Sequence, residues 1–268
     1  MTTKRARDAE AAAAPAKAAK LAEQKAASTA SEEPEVPRSV SQYRARLVAQ
    51  HKEIYKDPPV LPVAAAVEVE DELADPPTRN SDGDFIFADA STFRPNRSPE
   101  EVLREGAFGG TYFRSITSAV TNVKYSGKKA AKDSLKPEWV AGLDYKKMMC
   151  SATYDVTVNK WGSKCGGSLG MWESSGWISD VDPYGWFQWY CRFFAGRRCS
   201  DDERQIGRWN SLAGPKGRFR SQMCGKIHNS GKKVGDASVS PVVRQTLHHW
   251  GLEITDKKMA EYKKKKGL

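Results

Sequence analysis

Arginine is the residue type in this chain that is best suited to chemistry, and it is concentrated in one stretch. From Trp186 to Lys233 there are 11 Lys/Arg and only 3 Asp/Glu. A guanidinium group is planar, stays charged and offers forked N–H donors that match a phosphate group. This composition predicts a weakly specific nucleic-acid-binding surface. The arginines expected to form it are Arg197, Arg198, Arg204, Arg208, Arg218 and Arg220.

The same stretch permits a helix-turn-helix-like arrangement. A Gly-Pro-Lys-Gly turn at residues 214–217 separates two short helical patterns. The second helix would offer Arg218, Ser221 and Gln222 to a groove of the nucleic acid. The alternative is that the arginines pair with the acids at residues 201–203 and hold the fold together. In that case the chain is a protein-interaction or scaffold domain, and its partner is an acidic protein rather than a nucleic acid.

Cysteine and histidine give little sign of a catalytic or metal site. The five cysteines are irregularly spaced, which is not the pattern of a disulfide framework, and no pair of Cys or His has the spacing of zinc ligands. Neither a Gly-x-Ser-x-Gly elbow nor a zinc-deaminase signature occurs. Cys199 lies in a basic setting that favours a lowered thiol pKa, but no partner His is evident. We therefore predict no metal and no cofactor. An enzyme with a pocket beneath residues 144–181 is the third alternative.

A central helix is expected to position the arginines. Asp182 is a good N-cap, Pro183 suits the first helical position, and Gly196 suits the end. At 100° per residue, six rings fall on one wide arc of this helix, and Gln188 and Arg192 fall on the opposite arc. Exposing so many rings would invite aggregation, so we expect them to form the core. The six are Trp186, Phe187, Trp189, Tyr190, Phe193 and Phe194.

The rest of the pattern predicts a mainly helical fold with minor β structure. Capping boxes are expected at residues 98–101 and 200–203, and helices after Ser98, over residues 200–213, from about residue 216, and from Ser240 to Gly251. Residues 144–181 mix β-favouring pieces with glycines, and we expect irregular structure wrapped over the central helix. The fold class is thus a compact, aromatic-rich, multi-helix domain with long loops and disordered tails.

Three motifs carry a resemblance to a known family. They are Gly-Gly-Thr-Tyr-Phe-Arg at 109–114, Asp-Pro-Tyr-Gly-Trp-Phe-Gln-Trp-Tyr at 182–190 and Arg-Gln-Ile-Gly-Arg-Trp at 204–209. Together they resemble the signature of an uncharacterised eukaryotic family, over about residues 84–255. The resemblance implies no known activity and transfers no catalytic residue.

Composition divides the chain into five parts. Residues 1–37 are predicted to be a disordered tail, 38–57 an isolated amphipathic helix, and 58–83 a Pro-rich acidic linker. Residues 84–255 are predicted to form the folded domain, and 256–268 a Lys-rich tail. The formal charge is −1 over residues 1–80, +7 over 81–255 and +4 over 256–268. Positive charge therefore belongs to the folded part and the final segment.

Charge and hydropathy also predict where the protein acts. Lys4-Arg5-Ala6-Arg7 weakly resembles a nuclear import signal, so we predict a nuclear protein, with the cytoplasm as the alternative. No apolar run approaches the 18 or so residues of a membrane span, and no secretory signal is visible. Membrane partners are therefore not expected.

Overall fold

The computed structural model describes residues 67–268, which fold into ten α-helices and two short antiparallel sheets. The sheets pair β1 (Thr78–Arg79) with β2 (Phe85–Ile86) and β3 (Ile116–Thr117) with β4 (Lys124–Tyr125). The predicted fold class, mainly α with minor β structure, is confirmed. The helices are α1 (Pro99–Glu105), α2 (Gly127–Lys132), α3 (Pro137–Val140), α4 (Tyr145–Met148), α5 (Leu169–Ser174), α6 (Trp186–Phe194), α7 (Asp202–Leu212), α8 (Arg218–Ser230), α9 (Pro241–His249) and α10 (Asp256–Lys266).

Helix α6 is the centre of the core, as its pattern of rings predicts. Trp189, Tyr190 and Phe193 are almost completely buried. Phe93, from the loop before α1, packs with its ring centroid 5.1–5.7 Å from those three rings and from Trp209 of α7. Edge-to-face pairs at this spacing contribute roughly 0.5–1.5 kcal/mol each beyond the burial of their area. Gln188 was expected on the polar arc, but it is buried too, and its amide donates to Ser134 Oγ at 3.0 Å.

The start of the central helix differs from the prediction. Asp182 and Pro183 form a turn, closed by a hydrogen bond from Gly185 N to Asp182 O, and α6 begins only at Trp186. Gly185 is the N-cap and adopts φ of 86°, a conformation that glycine tolerates. Asp182 is not a cap because its carboxylate is bonded to arginines further along the chain. The capping box predicted at Ser98 is confirmed.

The ordered structure extends beyond the predicted domain at both ends. Residues 68–74, within the predicted linker, lie antiparallel to residues 196–200, and Glu70 N donates to Arg198 O at 3.0 Å. Residues 256–266 were expected as a solvated tail, but they form α10, because Met259 and Tyr262 pack on the core. The tail predicted at 1–37 and the helix predicted at 38–57 lie outside the described residues.

Candidate nucleic-acid interface

The six predicted arginines lie around α6–α8, and the first of them closes a buried ion pair. Arg197, directly after the end of α6, forms a two-bond pair with Asp182, with N–O distances of 2.8 and 2.6 Å. Arg192 of α6 also donates to Asp182, at 3.0 Å. The Asp182 carboxylate is fully buried. This arrangement ties the helix end to the turn that precedes the helix.

Two more arginines are held by acids that are distant in sequence. Arg198 bonds to Asp89 at 2.5 Å and also donates to the carbonyl of Phe193. The hydrogen bond from Arg198, together with its charge, holds the pKa of Asp89 below the usual range. Arg220 of α8 bonds to Glu261 of α10 at 2.6 Å. Both arginine side chains are only 8 % exposed, so neither guanidinium group is open to solvent.

Arg204 and Arg208 lie one turn apart on α7. Arg204 forms a two-bond pair with Asp201, at 2.5 and 2.8 Å. Arg208 has no carboxylate within ion-pair distance in the described part of the chain. Its guanidinium lies over the rings of Trp177 and Trp250 and donates to the side chain of Gln205 at 2.9 Å.

Arg218, at the start of α8, is exposed and lies over the ring of Phe219 at 4.6 Å. The other five predicted arginines are buried or partly buried. The expected orientation, with the guanidinium groups facing outward as one surface, therefore needs correction. Arg197, Arg198, Arg204 and Arg220 pair instead with carboxylates of the same chain, namely Asp182, Asp89, Asp201 and Glu261.

The outward-facing charge is carried by lysine. Residues 216–268 hold 13 Lys/Arg and 4 Asp/Glu, a net charge of +9 out of +10 for the whole chain. From the start of α8 onward, the exposed lysines that form no ion pair with any described residue lie on α8, on the loop after it and on α10. We call them the terminal lysine surface: Lys226, Lys233, Lys263, Lys264, Lys265 and Lys266.

Two ion pairs hold the first turn of α10 in place. Lys257 bonds to Asp82 and Lys258 to Asp84, which fixes the start of α10 to the β1–β2 turn. Between α10 and residues 232–236 lies an open groove of about 780 Å³, with Lys232, Lys233 and Lys263 on its rim and Met259 in its lining. The four lysines of the last turn are left to solvent. Positive charge at the C-terminal end of a helix is also stabilised by the helix dipole, and this effect favours lysines in the last turn even without a ligand.

A second group of exposed lysines lies elsewhere in the fold, on β4 and α2. Lys124, Lys128, Lys129 and Lys132 are exposed and form no ion pair within residues 67–268. We call these four the β4–α2 lysines. They carry the same charge as the last turn of α10 but do not line the groove beside that helix.

Two polar groups meet where residues 144–181 contact α9. The Sγ atom of Cys165 lies 3.3 Å from Nδ1 of His249, a pair that the sequence alone did not join. Nε2 of His249 accepts the Phe108 N–H at 2.9 Å, so in the neutral ring Nδ1 carries the proton. The imidazole therefore has no lone pair available to take the thiol proton. Burial lowers the pKa of His249 well below its usual value and raises the pKa of Cys165 to about 11.

The pair is thus a neutral thiol beside a neutral imidazole, which is not the arrangement of an activated nucleophile. Cys199 behaves in the same way. Burial and its hydrogen bond to Asp202 raise the pKa of Cys199 to about 12, which corrects the expectation that its basic setting would lower it. Among the described residues, no group of three or more His, Cys, Asp or Glu is arranged to hold a metal ion.

Comparisons with known proteins add no family. No protein-family model matches the chain, and no curated protein or solved structure gives a significant match. The resemblance of the three motifs to an uncharacterised eukaryotic family therefore stays a prediction, as does the nuclear location. In the described part of the chain, no helix is both long and apolar enough to span a bilayer.

Proposed function

We propose that this protein binds nucleic acid with little sequence preference, through the terminal lysine surface. The observation that carries the proposal is the distribution of charge. The chain's positive excess lies in its last 53 residues, and there the exposed ammonium groups of the terminal lysine surface are not neutralised by acids of residues 67–268.

The type of cation supports weak specificity. An ammonium group is a compact point charge without the planar fork that reads a base edge, so lysines contact phosphates without selecting sequence. A group of six such charges would release counterions when it meets a nucleic acid, and this release gives binding that weakens with salt. Arg220 contributes indirectly, because its ion pair with Glu261 joins α8 to α10.

A protein-interaction or scaffold function is the second candidate. One observation favours it: Arg197, Arg198, Arg204 and Arg220 form intramolecular ion pairs, although of the four only Arg204 pairs with an acid of residues 201–203. On this alternative the groove beside Lys233 and Lys263 would accept an acidic segment of a protein partner. The two candidates use the same surface and differ in the ligand.

Binding of a fluorescent 20-nucleotide single strand and of a 20-base-pair duplex, measured by anisotropy at 50 mM KCl, tests the proposal. We expect micromolar or tighter binding that changes little between unrelated sequences. The test variant replaces Lys263, Lys264, Lys265 and Lys266 by glutamine. The matched control replaces the β4–α2 lysines by glutamine, which removes the same charge from another part of the surface.

We expect the α10 variant to lose at least tenfold in affinity and the control to lose much less. Absence of binding by the wild type, or equal losses in the two variants, would overturn the proposal. Binding to an acidic peptide without binding to either nucleic acid would favour the scaffold function instead.

A further inference from the structure

Arg208 is a positive charge without a counter-charge of its own among the described residues. It is partly exposed, and its NH1 donates to Trp177 O at 3.3 Å and to Gln205 Oε1 at 2.9 Å. Burial and the neighbouring guanidinium of Arg204 lower its pKa to about 9, so it is still charged at neutral pH. A desolvated cation that lacks an anionic partner is costly, and a bound anion would relieve that cost.

Arg204 leaves a second donor unused at the same place. Its Nε and NH2 bond to the two oxygens of Asp201, while its NH1 is buried and has no hydrogen-bond partner in residues 67–268. Asp201 also accepts from Gln205 Nε2 at 2.9 Å, so its oxygens are already occupied. Asp201 therefore neutralises Arg204, and the charge of Arg208 has no counter-charge in the described part of the chain. The pair keeps one net positive charge and an unsatisfied N–H group.

Two aromatic rings fix the orientation of the Arg208 guanidinium. The centre of the Arg208 guanidinium lies 5.2 Å from the ring centroid of Trp177 and 5.6 Å from that of Trp250. Cation–π contacts of this kind hold the plane of the group in place and leave its edge for hydrogen bonding. In the described part of the chain, the Nε and NH2 of Arg208 make no hydrogen bond.

We propose that Arg204 and Arg208 form a binding site for one phosphate group, with the outer donors supplied by Arg208 and the inner one by Arg204 NH1. A tetrahedral oxyanion has enough acceptor atoms to bond to both guanidinium groups at once. The ligand is either free inorganic phosphate or a phosphate of a nucleic-acid backbone. The site is on α7, apart from the terminal lysine surface, and it does not rest on the proposed function.

Phosphate titration tests the site in the full-length protein. The thermal midpoint is followed as inorganic phosphate replaces chloride at constant ionic strength. A ligand at about ten times its dissociation constant should raise the midpoint by a few degrees, roughly 2–4 °C. Arg208→Gln should abolish that rise. Arg114→Gln is the matched control, because Arg114 is a partly exposed arginine that forms no ion pair with any described residue, and it should keep the rise.

A spectroscopic measurement covers the case in which Arg208→Gln does not fold. In the wild type, the Arg208 Nε–H resonance should shift on addition of phosphate, and the Arg114 resonance should not. Loss of single-strand binding in Arg208→Gln, together with loss of the phosphate effect, would assign the site to backbone phosphate. Loss of the phosphate effect alone would assign it to the free anion. Absence of a phosphate-specific shift of the Arg208 resonance in the wild type, or an unchanged phosphate-induced rise of the thermal midpoint in Arg208→Gln, would overturn the proposal.

Discussion

At the scale of single residues, Asp182 shows how this protein uses its arginines. The carboxylate is fully buried and accepts hydrogen bonds from both Arg192 and Arg197. Replacing Asp182 by Asn keeps the shape but leaves two guanidinium groups without a counter-charge. Breaking one side of a buried ion pair typically costs about 3–5 kcal/mol. We expect a loss of this size in the free energy of unfolding, measured with urea.

The control for this prediction is Asp89→Asn. Asp89 is bonded to Arg198 in the same way, but its side chain is 47 % exposed. Solvent reaches the Asp89 side of this pair although Arg198 is buried, so the loss should be smaller than for Asp182→Asn, about 1–2 kcal/mol. Equal losses in the two variants would contradict the structural role given to Asp182.

The two adjacent histidines of α9 predict a dependence of stability on pH. Burial lowers the pKa of His248 to about 3 and the pKa of His249 well below its usual value, so both are neutral in the folded protein. The unfolded chain takes up protons on them as the pH falls below about 6.5. Their contribution to stability is therefore complete above pH 6.5 and declines as the pH falls, by up to about 1.4 kcal/mol per pH unit for each histidine.

Urea unfolding at several pH values between 5.5 and 7.5 measures this slope. His248→Gln should remove about half of it, whatever the variant's absolute stability. A wild-type stability that is flat over this range would contradict the buried, neutral state of the pair.

At the scale of elements, glycine decides how closely the segments pack. A Cβ atom on Gly127, at the start of α2, would lie 1.8 Å from the carbonyl oxygen of Phe113. Backbone atoms occupy the space that the Cβ atom would need, so Gly127→Ala should lower the free energy of unfolding by about 3 kcal/mol or more.

Gly207 is in the interior of α7, and a Cβ atom added there would meet no atom within 4 Å. Because alanine is the better helix former, Gly207→Ala should stabilise the protein by about 0.5–1 kcal/mol. Urea unfolding of both variants checks the prediction, and a Gly127→Ala protein as stable as the wild type would contradict the packing.

Periodicity predicts the helices well and their termini less well. Patterns around residues 182–250 predict four helices, and α6, α7, α8 and α9 are present there. The predicted cap at Asp182 is wrong because a buried carboxylate gains more from two guanidinium groups than from the backbone of a helix end. The capping box predicted at residues 200–203 is also absent. Asp202 bonds instead to the indole of Trp189 and to Cys199, which lie on the preceding segment.

The candidate site could be predicted only in part, since its contacts join distant residues. Composition correctly locates the positive charge in the C-terminal part of the chain. It does not show which cations are paired, because Asp89 precedes Arg198 by 109 residues and Glu261 follows Arg220 by 41. The meeting of Cys165 with His249 is likewise a product of the tertiary fold. Local sequence contains no signal for such pairs.

At the scale of the whole molecule, positive charge has two functions in this account. Buried or half-buried arginines bond to carboxylates and carbonyls: Arg197 and Arg198 join the segment after α6 to Asp182 and Asp89, and Arg220 joins α8 to α10. Lysines on α8 and α10 remain outside as the proposed surface for nucleic acid. This division explains how a chain with a formal charge of +10 can bury several cations and still present a basic face.

The salt dependence of single-strand binding tests this division most directly. The slope of log K against log [KCl] is negative, and it becomes shallower by about 0.7 for every phosphate contact that is lost. The wild type and the β4–α2 control should therefore share one steep slope. The variant with glutamine at residues 263–266 should have a slope that is shallower by up to about 3 units. The same slope in all three proteins would contradict the claim that the terminal lysine surface is where nucleic acid binds.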